Sequence, residues 1–388
     1  MSRLIYTDNN ATTRVADEVF DAMVPYFTEY YGNPSSMYAF AEYAHKPVEN
    51  AREQAATLIN AARTDEIVFT SCGTESDNAA IFGVLHAYPE KKHFITTAVE
   101  HPAVYNLCDE LERQGYRVTK LRVNSDVQID LEELRAAITG DTALVSIMWA
   151  NNETGTIYPV EAAADIAHEH GVPFHTDAVQ AAGKVPIDVQ RTNIDLLSLS
   201  GHKIHAQKGV GLLYIKRGTR LRPFFVGGHQ EHGRRAGTEN VPGIVGLGKA
   251  CEMARAALGD ELTRVKTMRD RLETELLKHI SYSHVNGDMV NRTPNTTNIT
   301  FEFIEGESML LLLSDEGICA SSGSACTSGS LEPSHVLIAA GVPPSQAHSA
   351  VRFSLSRYNT DEEIDYIINR MPGIIERLRN ISPFKPAD

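Results

Sequence analysis

The sequence predicts an α/β protein of two domains, a large one built on a mostly parallel sheet and a smaller α+β one. Three observations lead there. At 388 residues the chain exceeds what one hydrophobic core serves, since single cores stop growing at roughly 250–300 residues. From about residue 65, short apolar runs alternate with longer helical stretches, as when helices cover both faces of a sheet. Near residues 240–280 that alternation stops.

The expected strands are, in order, "EIVFT", "HFITT", "RVTKLRV", "ALVSIMWA", "VPFHTDA", "DLLSLS" and "VGLLYIK". Helix-like segments lie among them, including "ESDNAAIFGVLHAY", "HPAVYNLCDELERQG" and "VEAAADIAHEHG". "VPGIVGLGKACEMARAAL" and "DELTRVKTMRDRLETELLKHI" then read as two long helices with the domain boundary between them. The remainder, from "NTTNITFEFIEG" to "VRFSLSRYNTDEEIDYIINRM", has fewer strands and an amphipathic closing helix, which suits the smaller α+β domain.

A formal net charge of −14 and the lack of a long basic run argue against a nucleic-acid surface. Partners are expected to be small molecules or proteins. "MSRLIYTDNNATT" has no apolar stretch followed by a cleavage site, and no run of eighteen apolar residues occurs. The expectation is a soluble, cytoplasmic protein that does not enter a membrane. Five cysteines, Cys72, Cys108, Cys251, Cys319 and Cys326, form no C-x-x-C pair, so neither a disulfide framework nor a zinc ribbon is suggested.

Cys326 stands among serines and glycines in "ASSGSACTSGSLEP", residues 320–333. A structural thiol usually has apolar neighbours, so the reading divides between an incidental loop cysteine and a reactive group on a flexible arm. "TSCGTESDNAAIFG" follows a strand and contains Thr74-x-x-Asp77, the spacing of a capping box, which places a helix start at Thr74. Such a start suits a phosphate, although most capped helices bind nothing. Asp177 falls just past a buried strand, either as a ligand-side acid or as the cap of the next helix. Lys203 follows "DLLSLS", either in a site or as a surface-turn lysine. Together they meet the needs of pyridoxal phosphate: a lysine for the Schiff base, an acid for the pyridine nitrogen and an anion site. Nucleotide sites are disfavoured, because "GVGLLY" and "GLGKAC" fail G-x-G-x-x-G and no G-x-x-x-x-G-K-[ST] occurs. The histidine pairs in "HKIH" and "HQEH" lack further ligands at metal spacing, so no metal is expected.

The chain resembles the cysteine desulfurases of the class V aminotransferase fold, closest to the nitrogen-fixation type. The resemblance runs end to end through "YTDNNATT", "GNPSS", "FTSCGTESDN", "VEHPAV", "MWANNETGT", "HTDAVQ", "SLSGHK", "GGHQEHGRRAGTEN", "SSGSACTSGSLEPSHV" and "RFSLSRY". It implies the pyridoxal-phosphate transferase fold of type I, aspartate aminotransferase-like. The large domain would be 15–259, and 1–14 with 260–388 the small one carrying the cysteine loop. It implies removal of sulfur from L-cysteine, giving L-alanine and a persulfide on Cys326. The sulfur would pass to an iron–sulfur scaffold protein, where Cys326 would transiently meet cluster iron, with nitrogenase as the destination. The alternatives of the same fold are a selenocysteine lyase and a general housekeeping desulfurase. By the same resemblance Lys203 is the Schiff-base lysine, Asp177 faces the pyridine nitrogen and Gln180 the ring hydroxyl. His101 stacks on the ring and shares in proton transfer. Gly73, Thr74, Ser200, Gly201 and His202 hold the phosphate, with Thr238 from the neighbouring subunit of a homodimer. Asn152 contacts cofactor or substrate and Arg352 the substrate carboxylate, a role for which its rigid fork is suited.

Overall fold

The computed structural model describes residues 4–322 and 332–383, so Cys326 lies outside the described residues. The described strands are β1 (Ile5–Tyr6), β2 (Ile67–Thr70), β3 (His93–Thr97), β4 (Arg117–Leu121), β5 (Thr142–Ser146), β6 (Phe174–Asp177), β7 (Leu196–Ser200), β8 (Gly211–Ile215), β9 (Ser283–Val285), β10 (Thr296–Phe301), β11 (Ile318–Cys319) and β12 (Ala350–Ser354).

Seven strands form the large sheet in the order β2-β8-β7-β6-β5-β3-β4, and only β8 runs against the rest. The mostly parallel sheet expected from the sequence is present. Apart from the edge strand β4, its strands are buried throughout because both faces are covered, and neighbouring residues serve opposite faces. Ile95, Leu197 and Leu212 enter one core, whereas Phe94, Leu196 and Leu213 enter the other beneath the helices Gly73–Ala87 and Pro102–Arg113.

A separate core of Met268, Leu272, Ile299, Phe301, Phe353, Ile364 and Ile367 sits behind the antiparallel sheet β12-β10-β9 and the closing helix Asp361–Ile381. The two long helices expected over 241–279 are joined differently. Val241–Asp260 passes into Lys266–His279 through a π-helical turn, Glu261–Val265, without leaving the helix axis for a loop. Apolar periodicity alone does not register one wide turn, so the sequence read it as a break.

The N-terminal segment joins the two cores. Ile5 pairs through β1 with β11 and packs in the second core. Further on, the Asn9 amide donates to the Ser354 carbonyl at 3.1 Å and the Thr13 amide to the His202 carbonyl at 2.9 Å.

Candidate active site

Parallel pairing of β6 with β7 brings their carboxyl ends to one edge of the sheet, the side on which open α/β sheets bind ligands. Asp177 closes β6 and is buried; its Oδ1 accepts from the Val179 amide at 2.9 Å. The residues after it form turns and no helix, so the carboxylate caps a turn while remaining at the sheet edge. Lys203 lies in the short turn Gly201–Lys203 that follows β7. Its Nζ donates to the carbonyls of Asn10 at 2.5 Å and Ala11 at 2.7 Å, so it is directed inward rather than to solvent.

Burial pushes the Asp177 carboxyl up to about 6, while the backbone donor and the Lys203 charge pull it down. Beneath it lies Asp77, also buried and pushed well above the carboxylate range by burial and by Asp177. The negative charge this pair can hold therefore rests on Asp177, nearer the lysine, and Asp77 keeps its proton. His175 completes the layer: its ring nitrogens bond Ser146 Oγ at 2.8 Å and Ser198 Oγ at 2.9 Å, and its Nε2 stands 3.7 Å from Asp77 Oδ1. Burial holds this imidazole neutral, with a pKa of about 3.

The helix expected to begin at Thr74 begins at Gly73 instead. Cys72 is its cap, with Sγ accepting from the Glu75 amide at 3.4 Å, and Asp77 points into the protein rather than back to the helix start. The Thr74-x-x-Asp77 spacing is a coincidence of a buried acid lying five residues beyond the cap. A Cβ built on Gly73 would stand 3.0 Å from Val179 Cγ2 and 3.4 Å from Ser200 Cβ, so backbone amides approach Ser200 closely only because glycine is there. The buried Ser200 hydroxyl has no partner among the described residues. A helix start with free amides beside an unsatisfied buried hydroxyl fits a phosphate. With Asp177 and Lys203 at the same edge, the residues fit pyridoxal phosphate.

His101 caps the helix Pro102–Arg113, with Nδ1 accepting from the Ala103 amide at 3.1 Å. Burial and the Lys203 charge lower its pKa to about 4, so it is neutral near pH 7. His202 Nδ1 lies 3.1 Å from Thr12 Oγ1 and is lowered to about 4, first by burial and then by Lys203. Arg352 on β12 is buried; it donates to Asp8 Oδ1 at 2.6 Å and to the Asn152 carbonyl at 2.8 Å, while its Nε has no partner among the described residues. Thr238 is exposed and bonds none of these residues among those described.

Asn10 was not singled out in the sequence, although "YTDNNATT" contains it. Its carbonyl accepts from Lys203 and Gln180, its Nδ2 donates to the Asn152 carbonyl and Thr296 Oγ1, and its amide donates to Ser354 Oγ. One residue thus joins the antiparallel sheet to the turns that follow β5, β6 and β7, at both ends of the site.

The aminotransferase class-V family profile matches residues 5–367. A cysteine desulfurase from Nostoc sp. is 59 % identical over 382 residues, covering 98 % of this chain and 95 % of that protein. The cysteine desulfurase NifS of Azotobacter vinelandii is 56 % identical over 380 residues, covering 98 % and 94 %. A solved structure described as a NifS-like protein superposes with a TM-score of 0.91 at 39 % identity, covering 97 % of this chain and all of that one.

Proposed function

The chain belongs to the class-V aminotransferase family, among its cysteine desulfurases, and from that premise we propose that it takes sulfur from L-cysteine onto Cys326 and releases L-alanine. The observation that carries this reading is the convergence of Asp177, Lys203 and the unsatisfied Ser200 hydroxyl at one sheet edge, with Arg352 linked to them through Asn152 and Asn10.

When bound, pyridoxal phosphate would withdraw electrons from the substrate α-carbon. Lys203 would hold the cofactor covalently and move the proton at that carbon. Asp177, the ionised member of its pair, would face the ring nitrogen, and Gln180 Nε2 the ring oxygen. His101, neutral and close enough to Lys203 to feel its charge, would lie against the ring and exchange a proton. The amides of Gly73, Thr74 and Gly201, with Ser200 and His202, would hold the phosphate. Arg352 would offer its remaining N–H groups to the substrate carboxylate, with Asn152 beside it. The Cys326 thiolate would attack the substrate sulfur; the carbon–sulfur bond breaks with its electron pair passing to carbon, which is protonated to the methyl of alanine. A free thiol near pKa 8.5 is only a few per cent thiolate at neutral pH, so the reaction needs a proton acceptor for Cys326 within the assembled site.

The reading extends to a cytoplasmic homodimer that feeds an iron–sulfur scaffold for nitrogenase, and to a division into 15–259 against 1–14 with 260–388. Likeness to NifS supports the destination, and the separate hydrophobic cores support the division. Phe27, Tyr31, Met37 and Tyr38 expose apolar side chains along the surface of residues 27–38, and Ser35 reaches Glu239, next to Thr238, at 3.5 Å. That surface suits a second copy, whose phosphate site Thr238 would complete.

The test is sulfide release from L-cysteine by protein with a visible cofactor band. Cys326→Ala should keep the band and lose the release; release at the parent rate would remove Cys326 from the mechanism. For the dimer, Thr238→Glu and Lys203→Ala chains should each be inactive and regain activity when mixed under subunit exchange. No recovery despite demonstrated exchange would mean Thr238 does not serve the neighbouring chain.

A further inference from the structure

Lys184 is buried at 7 % exposure, and no carboxylate lies at ion-pairing distance from it among the described residues. Lysine is almost never buried without such a partner. Burial lowers its pKa to about 7, with Lys203 and Arg352 acting in the same direction and buried Glu261 opposing them. Its hydrogen bonds must therefore account for its place. Nζ donates to Gln180 Oε1 at 2.7 Å and to Asn10 Oδ1 at 3.4 Å. At the other end of the same amide, Gln180 Nε2 donates to the Asn10 carbonyl at 2.9 Å, the oxygen that also receives Lys203 Nζ.

A glutamine amide has two ends of similar shape and opposite polarity, and its orientation follows from its partners. Here both ends are fixed. The Asn10 carbonyl can only accept, so it faces the amide nitrogen, and the lysine holds the amide oxygen from behind. One N–H of Gln180 is used on Asn10 and the second remains to be given. Gln180 and Lys184 stand four residues apart on a turn whose Gly183 has φ +72° and packs against Ala254, which keeps the lysine beneath the amide.

We infer that Lys184 is a positioning residue: by holding Gln180 Oε1 it commits the Gln180 amide nitrogen to donate toward the ring oxygen of the cofactor. This rests on the pyridoxal phosphate reading above. Donation to that oxygen drains charge that would otherwise retain a proton on the neighbouring lysine-linked nitrogen. Weaker donation therefore raises the pH at which the visible band titrates.

The experiment is a pH titration of the visible absorbance of holo-protein for the parent, Lys184→Met, Gln180→Leu and the double variant. Lys184→Met is expected to raise the apparent pKa by about one unit, the size of one weakened hydrogen bond to a charged group. Gln180→Leu should raise it at least as much, and the double variant no further than Gln180→Leu alone, because the lysine acts through the amide. A parent-like titration of Lys184→Met, or a shift that adds to that of Gln180→Leu, overturns the inference; addition would mean that the lysine acts by its charge. If methionine prevents folding, Lys184→Gln keeps a polar side chain that accepts as well as donates. The same upward shift is expected of it, and a parent-like titration overturns the inference. Absence of any visible band in the parent would instead defeat the cofactor reading on which the inference stands.

Discussion

At the carboxyl ends of β6 and β7, Asp177 and Ser200 present polar atoms with few partners, whereas on β12 the Arg352 guanidinium is already engaged by Asp8 and the Asn152 carbonyl. The first region has charge and hydrogen-bonding capacity left to give, and a bound group would complete it. The second arrives oriented, because a rigid fork held at two points presents its remaining edge in a fixed direction. Chemistry should therefore be lost by changes in the first region, and binding by changes in the second.

Four measurements can break or sharpen that contrast. Lys203→Ala should lower sulfide release by about a thousandfold or more, the scale of a lost proton carrier, and should abolish borohydride trapping of the cofactor. Retention of a reducible link would remove Lys203 from its role. Asp177→Asn should keep the cofactor but slow exchange of the substrate α-proton by about a hundredfold. Near-normal exchange would mean that the carboxylate does not act on the ring.

In the second region, Arg352→Lys keeps the charge without the fork and should raise KM for L-cysteine by roughly tenfold, with little change in cofactor content. Asp8→Asn keeps an acceptor for the guanidinium and should change KM by only about threefold. A fall in kcat at constant KM in either variant would erase the contrast between the regions.

The smallest effect is on stability. The folded Asp177 carboxyl titrates near 6, above its ordinary 3.8. Its proton-bound form is thus favoured by folding, and its contribution is full below pH 3.8 and lost as pH rises to about 6. In cofactor-free protein, Asp177→Asn should flatten the fall of Tm over that interval. An unchanged slope would place the titration elsewhere.

The apolar runs marked the strands correctly because a sheet covered on both faces favours hydrophobic strands, and that preference is written locally in "DLLSLS" and "VGLLYIK". Lys203 and Asp177 were legible for the opposite reason, as charged residues at the ends of such runs. The start of the Gly73 helix was misread because a cysteine cap leaves no usual capping signature, while Asp77, a buried partner of His175, resembled one. Asn10 and Lys184 carried no local signal. Their partners lie up to 344 residues away in sequence, as between Asn10 and Ser354, so only folding brings them together.

The unbroken helix from 241 to 279 works as a shaft between the two cores. Ile244, Leu247 and Cys251 key one end into the first core, and Met268, Leu272 and Leu276 key the other into the second. The wide turn at Glu261–Val265 sets the angular phase between those two sets of keys. Deleting one residue there would rotate the far end by about 100° and draw it in by about 1.5 Å. Met268, Leu272 and Leu276 would then turn away from their sockets and carry β12 out of alignment with β7, disabling the enzyme although no residue of the site had been changed.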